Sequence, residues 1–159
     1  MIIKNSKLLS LILSTILILT LTPNTKAQKW YKITKSDWAL ATLGTISGSA
    51  DGLNQLIVHR KYGEGNQFWD FKTSWKNKYK DWDGGNKEPR FLGSKTIFVG
   101  VTDGFHLTRM IDRAGMLVSV GIGAGELNKY PKKDRWKVVL KKMAISGISN
   151  RIAFNLIYK

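Results

Sequence analysis

Two acid–histidine pairs are the residues most able to do chemistry. Asp51 and His59 lie eight positions apart with Gln55 midway, the spacing of one ridge along a helix. Asp103 and His106 lie three apart, one helical turn on a shared side. Two carboxylates and two imidazoles at such spacing can bind a metal through oxygen and nitrogen, or act as an acid–base pair in a hydrolase of the envelope. The structural alternative is that the carboxylates hold the imidazoles, or Arg109 and Arg113, and fix helix register. No HExxH-type pattern decides between these readings, and none specifies a cofactor.

Each pair sits in a similar frame. Gly48-Ser-Ala-Asp51-Gly52-Leu53-Asn54 and Gly100-Val-Thr-Asp103-Gly104-Phe105-His106 share the order Gly-x-x-Asp-Gly-apolar-polar, and each contains Gly-x-x-x-Gly. Glycines four apart on a helix let a second backbone approach closely. The expectation is that the two segments cross at their glycines and bring Asp51 and Asp103 onto facing helices. Gly121, Gly123 and Gly125 are a further close-packing signal, not a dinucleotide fingerprint.

A third group is suited to binding. Residues 60–91 carry eight Lys and Arg interleaved with aromatic rings that include Phe68, Trp69, Phe71, Trp75, Tyr79 and Trp82; Trp69, Trp75, Lys76, Lys78 and Trp82 are the candidate contacts. Such a mixture suits a membrane interface or a phosphate- or sugar-binding loop, or an aromatic cluster packed under a long excursion.

The elements positioning these residues follow from periodicity and punctuation. Met1–Ala27 has two early lysines, an uncharged apolar run from Leu8 to Leu21 and a Thr-x-Ala exit at 25–27, the form of a cleaved secretory signal. The mature chain is expected to begin at Gln28 and to form one domain over 28–159. It then holds 23 Lys and Arg against 11 acids, a net +12. There is no cysteine, which excludes disulfides, thiol catalysis and thiolate metal sites. So strong a basic charge favours anionic membrane lipid or acidic glycan as partner, or simply aids solubility. Export makes nucleic acid the weakest of these partners.

The fold is expected to be mainly α, a small bundle of about four helices with one long aromatic and basic loop. The segments are Trp38–His59 behind a Ser36-Asp37 start, Phe91–Arg109, Ala114–Leu127, and Arg135–Tyr158 opened by Asp134. A short helix at Thr73–Asp81 and a turn at Asp83-Gly84-Gly85-Asn86 fall within the loop. Ile97–Val101 and Leu117–Ile122 are short enough to be strands instead. The bundle either crosses a bilayer or rests on one: loop cations obey a positive-inside pattern, whereas Lys95, Lys141 and Lys142 lie in or near the apolar segments.

The order Gln67-Phe-Trp-Asp70, Ser74-Trp-Lys-Asn-Lys78, Phe91-Leu-Gly-Ser94 and Thr102-Asp-Gly-Phe-His-Leu107 resembles small uncharacterised exported or membrane proteins of Gram-negative bacteria, over residues 45–110. That resemblance implies an envelope location and brings no activity. Together these features predict a non-catalytic protein of the periplasm or its membranes that binds lipid or an envelope protein, with the hydrolase or metal-binding reading as the alternative.

Overall fold

A computed structural model describes residues 28–159; the expected signal segment lies outside the described residues. Three long helices form the body: α1 (Lys35–His59), α2 (Gly104–Glu126) and α3 (Arg135–Tyr158). The fold is mainly helical, as expected, but three helices replace the four-segment plan among the described residues. Ala114–Leu127 is no separate helix, because α2 runs unbroken through Arg109 and Arg113, which point to solvent. Phe91–Arg109 is mostly turns and a 3-10 turn at Val99–Val101, and becomes α-helical only at Gly104. Leu117–Ile122 is helical and Ile97–Val101 is not a strand.

Helix ends follow local chemistry. α1 is capped by Thr34, not Ser36: the Asp37 amide donates to Thr34 Oγ1 and the Thr34 amide donates to Asp37 Oδ2, a reciprocal capping box. Asp103 caps α2 by accepting from the His106 amide at 2.8 Å. α3 begins at Arg135, behind Asp134, as the sequence predicts.

α1 is the central helix, with α2 and α3 along its two sides and scarcely touching each other. Contacts Asp37–Lys141, Gly48–Asn150 and Arg60–Tyr158 make α3 parallel to α1. Contacts Ser36–Glu126, Ser47–Asp112 and Asn54–Phe105 make α2 antiparallel. The glycine ridge of α1 is what brings α3 close. A methyl group at Gly44 or Gly48 would collide with the carbonyl of Ser146 or Asn150. The expected crossing of the two glycine motifs is therefore corrected: the first motif's glycines meet α3, Gly100 lies against Met110, and Gly104 lies against the Trp69 ring. Gly121 and Gly125 have open space beside them, so their expected close packing is corrected as well.

The long excursion 60–103 is ordered by its own contacts. Ser74–Lys78 is a 3-10 turn where a short helix is expected, and β1 (Tyr79–Asp81) pairs antiparallel with β2 (Asn86–Pro89) across the Asp83–Asn86 turn. Gly85 takes φ +84° there, the left-handed region that glycine enters without strain. Asn77 Nδ2 donates to the carbonyls of Gln67 and Thr102 and pins the excursion to the start of α2.

Polarity in the bundle is inverted. Among the described residues the buried apolar side chains are few: Leu40, Ala50, Ile57, Tyr130, Val138 and Ala153. The helix contacts are instead small or polar, among them Ser47, Gly48, Asn54, Thr108 and Gly115. Large aliphatic side chains point outward, with Leu117 74%, Val120 69%, Met143 66% and Leu156 75% exposed.

Candidate functional site

The four candidate acid and histidine residues do not form one site. Asp51 lies in mid-α1, half-buried; His59 ends α1, exposed; neither side chain makes a hydrogen bond or ion pair among the described residues. Asp103 and His106 do meet. Both Asp103 oxygens lie 2.8 Å from His106 Nδ1, and Thr102 Oγ1 donates to Oδ2 at 3.3 Å. Asp103 is 1% exposed, so its carboxylate spends its lone pairs on the α2 start and on one imidazole. A carboxylate-oriented imidazole can move a proton, but no nucleophile is hydrogen-bonded to the other ring nitrogen among the described residues. No group of three or more His, Asp or Glu side chains there is disposed to hold a metal ion.

The two motifs therefore differ in backbone. Gly48–Asn54 is helical throughout, whereas Gly100–His106 passes from a 3-10 turn through a helix cap into α2. Their last polar residues part ways too. Asn54 Nδ2 donates to Thr108 Oγ1 at 2.8 Å and to the Phe105 carbonyl at 3.0 Å, tying α1 to α2, while His106 turns back on Asp103.

The strongest polar cluster lies at the opposite end of the bundle and joins all three helices. Lys142 Nζ donates to Ser36 Oγ at 2.7 Å, Asp37 Oδ1 at 3.2 Å and Glu126 Oε2 at 2.8 Å. Lys141 Nζ reaches Asp37 Oδ2 at 2.7 Å and the Lys32 carbonyl at 2.8 Å. Ser36 also donates to Glu126. Burial alone would raise the Asp37 carboxyl, but hydrogen bonds from Lys141, the Thr34 amide and Lys142 outweigh it and hold the group below its ordinary value. Glu126 behaves alike: burial pushes it up, and Lys142, Ser36 and Lys129 bring it down. Burial, with Glu126 and Asp37 nearby, pushes the Tyr130 phenol up to about 12. Ser36 beside Lys142 resembles a nucleophile and its base only in distance. Lys142 Nζ donates to Ser36 and to the Asp37 and Glu126 carboxylates, and leaves the serine no free acceptor there.

This cluster borders a cleft. Because α2 and α3 separate over α1, they flank an open apolar groove of about 480 Å³ lined by Leu40, Met116, Val120, Leu127, Val139 and Met143, with Lys142 at one end. It continues past Met116, Ser119 and Ser146 into a polar cavity of about 290 Å³ beside Ser47, Asp51, Asp112 and Asn150.

The excursion divides the candidate binding residues. Trp75, Trp82 and Tyr79 cluster, with ring centroids 4.6 Å apart for Trp75–Trp82 and 4.7 Å for Tyr79–Trp82. Lys78 lies over Trp75 and Tyr79, at 6.0 and 5.5 Å from their centroids. Trp69 is elsewhere, packed on Gly104 and edge-on to Phe68. Lys76 is held by Asp83 at 2.6 Å.

The sequence puts Lys141 and Lys142 in or near an apolar segment but does not show Ser36, Asp37 and Glu126 as their partners. The available signal was the i, i+4, i+8, i+12 row Val138, Lys142, Ser146, Asn150 on α3, a lysine and an asparagine sharing the face that a helix turns to its neighbour. Comparison with family models, with curated proteins and with solved structures finds no match.

Proposed function

We propose that this is a non-catalytic, membrane-associated protein of the cell envelope, lying on the bilayer with the α2–α3 face in contact with lipid. The inverted polarity carries the reading. In water, outward Leu117, Val120, Met143 and Leu156 gain nothing, and exposed apolar surface of such extent marks contact with a membrane or partner. In lipid the same arrangement is favourable: aliphatic side chains outside, with small residues and hydrogen bonds between helices.

The charges set the orientation. The uncharged stretch Ala114–Gly125 of α2 is only about 18 Å long at 1.5 Å per residue, against about 30 Å of hydrocarbon. Lys129, Lys132 and Lys133 lie beyond one end, and Arg109 and Arg113 beyond the other. No helix among the described residues is long and apolar enough to cross a membrane. A bundle with cations at both ends of a short belt favours lying in the interface, where lysine and arginine stems reach back to the head groups. Anionic lipid or an envelope protein is the partner class that a mature charge of +12 favours.

Fractionation tests this. The mature protein should sediment with membranes at low salt and float with phospholipid vesicles, and its intact mass should correspond to a chain beginning at Gln28. Recovery in the soluble fraction at low salt, without detergent, would defeat the proposal.

A further inference from the structure

The β1–β2 hairpin and the residues flanking it carry cations that no carboxylate among the described residues engages. Of its acids, Asp83 pairs with Lys76 and Glu88 with Lys80, each at 2.6 Å, and Asp81 accepts from the Gly84 amide. Lys78, Lys87 and Lys95 make no carboxylate contact among the described residues. Each lies over a ring of one cluster instead: Lys87 is 4.8 Å from the Trp82 centroid, Lys95 5.2 Å from that of Tyr79, and Lys78 5.5 Å from that of Tyr79. Three ammonium groups thus rest on the rings of one aromatic cluster, none of them paired with a carboxylate among the described residues.

An ammonium resting on a ring still has N–H donors directed away from it. Phosphate oxygens accept charge-assisted hydrogen bonds from such ammonium groups, and Trp and Tyr rings are at home at the depth where phospholipid phosphates lie. Asn77 ties the excursion to the Thr102 carbonyl at the start of α2, the helix whose aliphatic side chains face outward. We propose that Trp75, Tyr79 and Trp82, with Lys78, Lys87 and Lys95, form an interfacial site for the phosphates of anionic phospholipid head groups. This rests on the membrane reading and adds lipid selectivity to it. A cation close to an anionic membrane surface contributes about fivefold in binding, so three contribute on the order of a hundredfold.

Vesicle flotation of the mature protein separates the two claims. Wild type should float with neutral phosphatidylcholine vesicles through its apolar face, and bind phosphatidylglycerol vesicles at least about a hundredfold more tightly at low salt. K78Q/K87Q/K95Q should lose on the order of a hundredfold in phosphatidylglycerol binding, with neutral-vesicle binding and the circular dichroism spectrum unchanged, while K78R/K87R/K95R should keep the wild-type affinity. Wild type and the glutamine variant binding phosphatidylglycerol alike would overturn the hairpin site and leave the membrane reading standing. So would capture of wild type by soluble heparin in preference to the vesicles. Failure of wild type to float with either vesicle would overturn both.

Discussion

Asp37 and Asp103 are equally hidden, 2% and 1% exposed, and are engaged at opposite ends of the bundle in opposite ways. Asp103 finds its partners within three residues, at Thr102 and His106, and closes the start of one helix. Asp37 has one local partner, Thr34, and two lysines more than a hundred positions away, through which α3 is joined to α1. Glu126 extends the junction to α2. Burial of a carboxylate therefore does not tell what it organises; the sequence distance to its partners does. A local cap can form as soon as its helix does, whereas the Asp37–Lys142–Glu126 cluster exists only when all three helices have met.

The largest effect should separate these two ends. Lys142→Met leaves Asp37 and Glu126 short of their shared cation in a buried setting, and should destabilise the fold by about 3–5 kcal/mol in urea unfolding. The acid limb should change with it. The Asp37 and Glu126 carboxyls are both held below their ordinary values, so their contribution is complete above the usual carboxylate range and is lost as pH falls through the lowered folded values. Unfolding measured across acidic pH should show that loss in wild type and a flatter dependence in Lys142→Met. Next in size is Gly48→Ala, whose methyl meets the Asn150 carbonyl and must push α3 away from α1, at about 1–3 kcal/mol. Asp103→Ala should cost about 1–2 kcal/mol, the range of a lost helix cap. A loss at Asp103 as large as that at Lys142 would break the comparison, since it would mean that the cap also holds tertiary structure.

The same contrast explains what could be read in advance. Helix content, the start of α3 behind Asp134, the 83–86 turn and the grouping of Trp75, Lys78 and Trp82 depend on neighbours in sequence, and they were legible. The break placed between Arg109 and Ala114 was not real, because charges interrupt an apolar run without interrupting a helix that can turn them outward. The Gly-x-x-Asp-Gly echo misled for a related reason. Asp103 follows the 3-10 turn Val99–Val101 and Thr102, and so caps a helix; Asp51 is preceded by sixteen helical residues, from Lys35 to Ala50, and can cap nothing. The junction at Lys142 needed knowledge of which helix lies beside which, and that depends on the Gly44, Gly48 and Gly52 ridge selecting α3 rather than the second glycine motif.

The smallest expected effect sharpens the comparison most. Asp51 shares a motif with Asp103 and a helix with Asp37, yet it has neither a local cap nor a distant cation to hold. Its half-buried side chain borders the polar cavity near Asp112, whose carboxylate accepts from Ser47. Two acids beside one cavity repel each other, and no ammonium or guanidinium group offsets Asp51 among the described residues. Asp51→Asn keeps the shape and removes that repulsion, so urea unfolding should shift by no more than about 0.5 kcal/mol, toward greater stability if at all. Wild-type stability would then rest on Asp37 and Asp103 and not on Asp51, whatever their shared letters in the sequence. A loss of about 2 kcal/mol or more would instead mean that the Asp51 carboxylate is engaged by a charged or hydrogen-bonding group.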